Sequence, residues 1–140
     1  MVKTRRRLSE RRPGGGRRMT AQRRAVLQAM SDLGCARAAE EIHARARRFH
    51  SRLGLVTVYR TLAALTRDGL AQGIHLGDGR ARYELTEQGR HHHHLVCLSC
   101  GNVERLDGCL VQPVQGAARR HGFTVTGHRL ELFGYCATCR

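Results

Sequence analysis

Two Cys-x-x-Cys pairs constrain this chain more than any other feature. Cys97-x-x-Cys100 and Cys136-x-x-Cys139 are separated by 35 residues, and Gly101 follows the first pair where a tight turn is needed. Tetrahedral zinc takes four thiolates at about 2.3 Å, and each pair delivers two from one turn. Two pairs, each closing a strand-like segment, therefore point to a structural Zn2+ held by Cys97, Cys100, Cys136 and Cys139. A thioredoxin-like redox pair would need a βαβ frame, which the chain lacks. Metal affinity at a closed site is also folding free energy, on the order of 10 kcal/mol, so this ion is expected to be permanent rather than sensed. Cys35 and Cys109 lie outside the pairs and read as small buried hydrophobes.

That reading depends on compartment, since six cysteines in a small secreted chain would suggest disulfides instead. The basic stretch "MVKTRRRLSERRPGGGRR" has no hydrophobic segment after it to make a signal peptide. No apolar run approaches the roughly 18 to 20 residues that cross a bilayer. A soluble, cytoplasmic protein without a membrane partner is the expectation.

The charge is uneven. Residues 1–18 carry eight basic residues and one acid (8 − 1 = +7), residues 19–85 eleven and six (11 − 6 = +5), and residues 86–140 six and four (6 − 4 = +2), which together give the formal +14. A positive N-terminal half suits a polyanion, most simply double-stranded DNA, whose phosphates attract Lys and Arg without regard to sequence. An arginine-rich solvated surface is the bland alternative.

Residues 1–18 show no hydrophobic periodicity and read as a basic disordered tail. From Thr20, a plausible N-cap, Val26, Leu27, Met30 and Leu33 recur at helical spacing until Gly34. A second helix is expected in "AAEEIHARARRF", with Ala39, Ile42, Ala46 and Phe49 as its apolar stripe. In the third, Thr57 can cap, Val58, Leu62 and Leu65 face one way, and Tyr59, Arg60, Ala63 and Arg67 face the other. "LAQGIHL" and "RARYEL" around Gly77-Asp78-Gly79 read as a β-hairpin. Three helices and a hairpin over residues 19–85 have the order of a winged helix-turn-helix. Residues 86–90 read as a linker. Residues 91–140 read as a small α/β unit, with strands in "HHHHLVC" and "NVERL", a helix entered near Pro113, and two strands in "FTVTGHRLELFGYC". The fold class is α+β.

Four consecutive histidines run into the first cysteine pair. In an extended segment alternate side chains face opposite sides, so His91 and His93 point one way and His92 and His94 the other. Each pair needs a further donor: Glu84, at the end of the hairpin, could join His92 and His94, and His128 could join His91 and His93. Imidazole suits zinc, iron, nickel and copper and titrates near neutral pH, so such sites can load and unload. His43, His50, His75 and His121 lack such context and read as exposed.

From about Arg18 to Cys139 the chain resembles the ferric uptake regulator family of metal-dependent bacterial repressors. The marks are "MTAQRRAVL", "TVYRTLAAL", "GDGRARYEL", "HHHHLVCLSCGNVERL", "GHRLELFGYC" and the last cysteine pair. The resemblance implies a winged-helix DNA-binding domain, a C-terminal dimerisation domain, and a homodimer that binds AT-rich palindromic operators when its sensing metal is loaded. Carried onto this sequence, Tyr59 and Arg60 on the third helix would contact a thymine and the DNA backbone, Thr57 and Arg23 would also contact DNA, and Arg18 would enter the minor groove. A protein of this kind is a regulator, not an enzyme.

The chain departs from the family pattern in three places, one of them Arg105, where an acid is expected in the strand after the first cysteine pair and Glu104 beside it faces the other way. Where members commonly supply a hinge histidine from the loop before the second helix, it reads Cys35-Ala36-Arg37. Cys35 as a fourth ligand beside Glu84, His92 and His94 would tilt the regulatory metal toward Zn2+, whereas nitrogen and oxygen donors alone allow Fe2+, Mn2+ or Ni2+. The glutamate usual at the second site falls at Gln112, so a metal on His91, His93, Gln112 and His128 has a weak ligand. The sensed metal reads as iron or zinc, with peroxide-, manganese- or nickel-sensing relatives as alternatives. A metal-buffering protein would not explain the basic winged-helix half. A zinc deaminase would need the His-x-Glu and Pro-Cys-x-x-Cys signature, which is absent.

Overall fold

The computed structural model describes residues 18–87, 92–109 and 112–140. The expected tail up to residue 17, most of the expected linker, His91 and the side chain of Gln112 lie outside the described residues. The element order is α1 (Ala21–Leu33), β1 (Arg37–Ala38), α2 (Ala39–Ala46), α3 (Leu55–Arg67), β2 (Ala71–His75), β3 (Ala81–Leu85), β4 (His93–Cys97), β5 (Val103–Leu106), α4 (Gln112–Arg120) and β6 (Glu131–Gly134).

Helix α1 starts where Thr20 accepts the Arg23 N–H on its hydroxyl and stops at Gly34, whose left-handed φ of 70° lets its N–H close on Met30. Its inner face, Ala25, Val26, Ala29 and Met30, packs with Ile42 and Ala46 of α2 and Val58, Leu62 and Leu65 of α3. Complete burial of one such leucine is worth about 1.5–3 kcal/mol. Helix α2 ends at Ala46, before Phe49, which is exposed and carries the Arg45 guanidinium over its ring at 5.9 Å. The expected fourth position of the stripe is therefore outside the core. Helix α3 begins three residues earlier than expected, with Gly54 rather than Thr57 at its N-cap. Thr57 thus sits inside the first turn, where its carbonyl accepts the Thr61 hydroxyl, and it caps nothing.

The hairpin forms at the expected residues, with Ala71 opposite Leu85 and His75 opposite Ala81. The two-residue strand β1, too short to leave a pattern in sequence, adds to its far edge as Arg37↔Tyr83 and Ala38↔Arg82. The second sheet has the order β5-β4-β6, antiparallel between β4 and β5 and parallel between β4 and β6. Only one strand forms in the segment expected to hold two. Residues 123–130 form no strand.

Between the two halves lies a second apolar cluster. Cys35, Ala36 and Leu76 of the helical half bury together with Val96 and Val103 of the sheet half. Arginines stitch its rim. Arg37 donates to the Val103 carbonyl at 2.6 Å, Arg82 to the Gly101 carbonyl at 3.1 Å, and Arg129 to the His75 carbonyl. Arg82 is held for this by a two-armed bond to Asp78 in the hairpin turn, at 2.9 and 2.6 Å. This bond and the Arg80 N–H hold the Asp78 carboxyl down at about 2.

Candidate metal centres and DNA-binding face

The four cysteines of the two pairs converge, with their sulfurs all within 4.8 Å of one another. Each pair forms the same turn: the Gly101 N–H reaches the Cys97 carbonyl and the Cys139 N–H the Cys136 carbonyl, both at 2.9 Å. Parallel pairing of β4 with β6 brings the turns together, since Cys97 lies opposite Gly134 and the Cys136 N–H points at the Cys97 sulfur at 3.4 Å. At Gly101 a side chain would be strained: φ is 71°, and a Cβ would lie 2.8 Å from the end of the Arg80 side chain, which would have to move. The backbone N–H groups of Cys100 and Cys136 pull the Cys97 thiol down to about 6. Cys100 is pushed up to about 11: the Asn102 N–H favours its thiolate, but Cys97, burial and the other two sulfurs outweigh it. Four sulfurs this close repel once ionised, and a dication removes that repulsion. The donor set fits zinc.

The second cluster spans the two halves. Glu84 of β3, His92 just before β4, His94 of β4 and Cys35 after α1 place one ligand atom each within 4.8 Å of the others. Both imidazoles direct Nε2 at Glu84 Oε2, at 3.0 and 3.1 Å, and Gln72 donates to Oε1 at 2.7 Å. Burial raises the cost of charging Glu84, yet these bonds, His94 first, hold it down at about 2. His94 is raised to about 9 by the Cys35 sulfur and then by Glu84, against the effect of burial. Ionised carboxylate, thiol and two imidazoles in one buried pocket make a donor set suited to a borderline divalent metal.

A third cluster lies on the opposite face of β4. His93 is buried there, its ring centroid 5.3 Å from that of His128, and Cys109 Sγ is 3.3 Å from His128 Nε2. Ligand atoms of these three residues also fall within 4.8 Å of one another. Cys109 is half-buried and faces imidazole rather than filling a core as expected from sequence. Its spacing to His128 follows no local motif, and only the fold brings the two together. A cleft of about 410 Å³ is lined by Glu84, His92 and His94 from one cluster and by His93 and His128 from the other. Among the remaining histidines, His43 and His50 are half-buried rather than exposed as expected, His43 with Nε2 2.7 Å from the Leu53 carbonyl.

On the outer face of α3, Tyr59 and Arg60 are exposed, as is Arg18 ahead of α1, while Thr57 is half-buried. Arg23 does not belong with them. It is buried, and its guanidinium pairs with Asp68 at 2.8 Å, tying α1 to the end of α3. Removing one partner of a buried pair leaves an uncompensated charge, so Arg23 is committed to the fold.

A basic winged helix joined to a sheet carrying clustered thiolates and imidazoles defines a metal-binding, DNA-binding regulator. The model of the family described as "FUR: Ferric uptake regulator family" matches residues 15–133, and the chain belongs to that family. The zinc uptake regulation protein of Mycobacterium tuberculosis is 38% identical over 126 residues, covering 89% of this chain and 96% of that protein. Among solved structures, the Vibrio cholerae ferric uptake regulator matches with a TM-score of 0.71 at 31% identity, covering 85% of this chain and 92% of its own. A zinc-bound manganese uptake regulator matches with a TM-score of 0.75 at 33% identity, covering 86% and 91%. The protein is therefore a metal-responsive, DNA-binding and dimeric transcriptional regulator of metal uptake, not an enzyme. Among the described residues no helix is long and apolar enough to cross a membrane.

Proposed function

We propose that the chain is a zinc-responsive cytoplasmic repressor, a homodimer that binds AT-rich palindromic operators of metal-uptake genes when Cys35, Glu84, His92 and His94 hold Zn2+. The observation that carries the metal is the Cys35 sulfur in a cluster whose other donors are a carboxylate and two imidazoles. A thiolate favours zinc over ferrous iron, manganese or nickel at a site of otherwise nitrogen and oxygen ligands. The 38% identity to a zinc uptake regulation protein points the same way. Zinc in the Cys97, Cys100, Cys136 and Cys139 cluster is structural.

The sensing step rests on where the ligands sit. Residues 19–85 form the DNA-binding domain, 86–90 the linker and 91–140 the dimerisation domain, with residues 1–18 as a basic tail. Glu84 and Cys35 come from the first domain and His92 and His94 from the junction with the second, so ligation fixes the angle between domains. Bound zinc supplies one dication shared by four donors. The chain's own residues then hold α3 at the spacing that two half-sites require, with Tyr59, Arg60 and Thr57 toward the major groove and Arg18 toward the minor groove. DNA must tighten metal binding by the same factor that metal tightens DNA binding. His93, His128 and Cys109 form an auxiliary metal position, to which the sequence adds His91 and Gln112 as candidate ligands.

Operator binding under anaerobic, metal-buffered conditions tests this, with protein that retains only the structural zinc. Zn2+ is expected to raise affinity at lower free concentration than Fe2+, Mn2+ or Ni2+, and Cys35→Ser to erase that preference. Equal operator affinity with and without added metal would sink the hinge mechanism. A lower requirement for Fe2+ in both wild type and Cys35→Ser would make iron the sensed metal.

A further inference from the structure

The two carboxylate oxygens of Glu84 have different partners. His92 Nε2 and His94 Nε2 approach Oε2 at 3.0 and 3.1 Å, while Oε1 accepts the Gln72 amide N–H at 2.7 Å. Gln72 and Glu84 stand directly opposite each other on β2 and β3, so the strand register delivers the amide to that oxygen. Gln72 is exposed at the rim of the cleft, whereas Glu84 is 4% exposed. A surface glutamine thus holds one half of a buried carboxylate whose other half meets the imidazoles.

How a carboxylate binds decides how many donors an ion receives. Giving one oxygen, Glu84 completes a set of four with the Cys35 sulfur and two imidazoles, which suits the tetrahedral preference of zinc. Giving both, it adds a further oxygen, which suits manganese and ferrous iron better. Chelation by both oxygens requires Oε1 to turn toward the ion, away from the amide that holds it. We propose that Gln72 is a specificity-determining positioning residue, which restricts Glu84 to one-oxygen coordination and so keeps the sensing site four-coordinate and selective for Zn2+. The inference rests on the reading of Cys35, Glu84, His92 and His94 as the sensing site. Gln72 acts through Glu84, as partners behind metal ligands do when they orient them and tune affinity. A glutamine that merely joined β2 to β3 would affect all metals alike.

The test uses full-length protein that retains its structural zinc and carries His128→Ala, so that the auxiliary position does not take the added ion. Co2+ reports coordination directly, because its visible bands are several-fold stronger in four-coordinate than in five- or six-coordinate sites and a near-ultraviolet band marks a bound thiolate. The expected spectrum is four-coordinate, with a thiolate band that Cys35→Ser removes. Gln72→Met, which keeps the length of the side chain without its N–H, should weaken the visible bands several-fold while the thiolate band stays. Chelator competition should then show Zn2+ affinity lowered about tenfold and Mn2+ affinity equal or higher, the scale set by partners of metal ligands. Overturning results would be a five- or six-coordinate wild type, a Gln72→Met spectrum that is still four-coordinate, or Zn2+ and Mn2+ affinities lowered by the same factor. The last would mark a structural role in the hairpin. If the wild type lacks a thiolate band that depends on Cys35, the zinc reading of the site fails and the role of Gln72 falls with it. If that band is present and Gln72→Met changes neither spectrum nor preference, only the role of Gln72 falls.

Discussion

The helical half and the sheet half of this chain are stabilised by different means. In the first, the core formed by α1, α2, α3 and β2 includes Val26, Ala29, Ile42, Ala46, Val58, Leu62 and Leu65, each fully shielded from solvent. In the second, Val96 and Val103 are buried only with help from Cys35, Ala36 and Leu76 of the other half. Meanwhile Leu95, Leu98, Phe123, Leu132, Phe133 and Tyr135 stay exposed on the single chain. Of these, Leu95 and Leu132 are paired across β4 and β6 and share one face of the sheet, and exposed apolar side chains there agree with a dimeric family. The helical half thus folds by burial, while the sheet half depends on metal, on its neighbour and on a second copy.

Breaking the zinc site should have the largest effect and the most one-sided one. Cys136→Ser removes a ligand worth a substantial part of roughly 10 kcal/mol of metal-linked folding free energy. Amide exchange should become fast across β4, β5 and β6 and the dimer should dissociate in size-exclusion chromatography, with α1 and α3 still protected. Loss of protection in both halves together would show that the helical half cannot stand alone. The reverse lesion is smaller. Leu62→Ala leaves a cavity in the helical core and should cost about 2–5 kcal/mol in denaturant unfolding, with zinc content unchanged.

The smallest predicted effect lies at the wing. Asp78 titrates at about 2 against an ordinary 3.8, so its bond to Arg82 contributes stability in full above the unfolded value and loses it only as pH falls through about 2. Exchange protection at the Arg80 amide, which bonds to the Asp78 carboxylate, should therefore be flat between pH 7 and 5 once corrected for intrinsic rates. Arg82→Ala should lower that protection at either pH, by a few-fold.

How much of this was legible in the sequence follows the same division. Helices α1 and α3 and the hairpin were readable because burial on one face leaves a period, and Val58, Leu62 and Leu65 carry it openly. Phe49 misled because hydrophobicity alone does not say where a helix stops, and Arg23 because a charge in a basic helix does not reveal a partner 45 residues away. The zinc cluster was readable because each pair is a local turn. Cys109 was not, since it precedes α4 and His128 follows it, so that only the fold brings them together, and β1 was too short to leave any pattern. Residues 123–130 have strand-like composition and form no strand.

The seam of Ala36, Leu76, Val96 and Val103, rimmed by Arg37, Arg82 and Arg129, bears on how such proteins can be recombined. A chimera cut in the linker divides the sequence between the domains but leaves this seam to be made from mismatched surfaces. The unit that can be exchanged between relatives is the sheet half together with the wing and the turn after α1, because those segments supply the opposite side of the same contact.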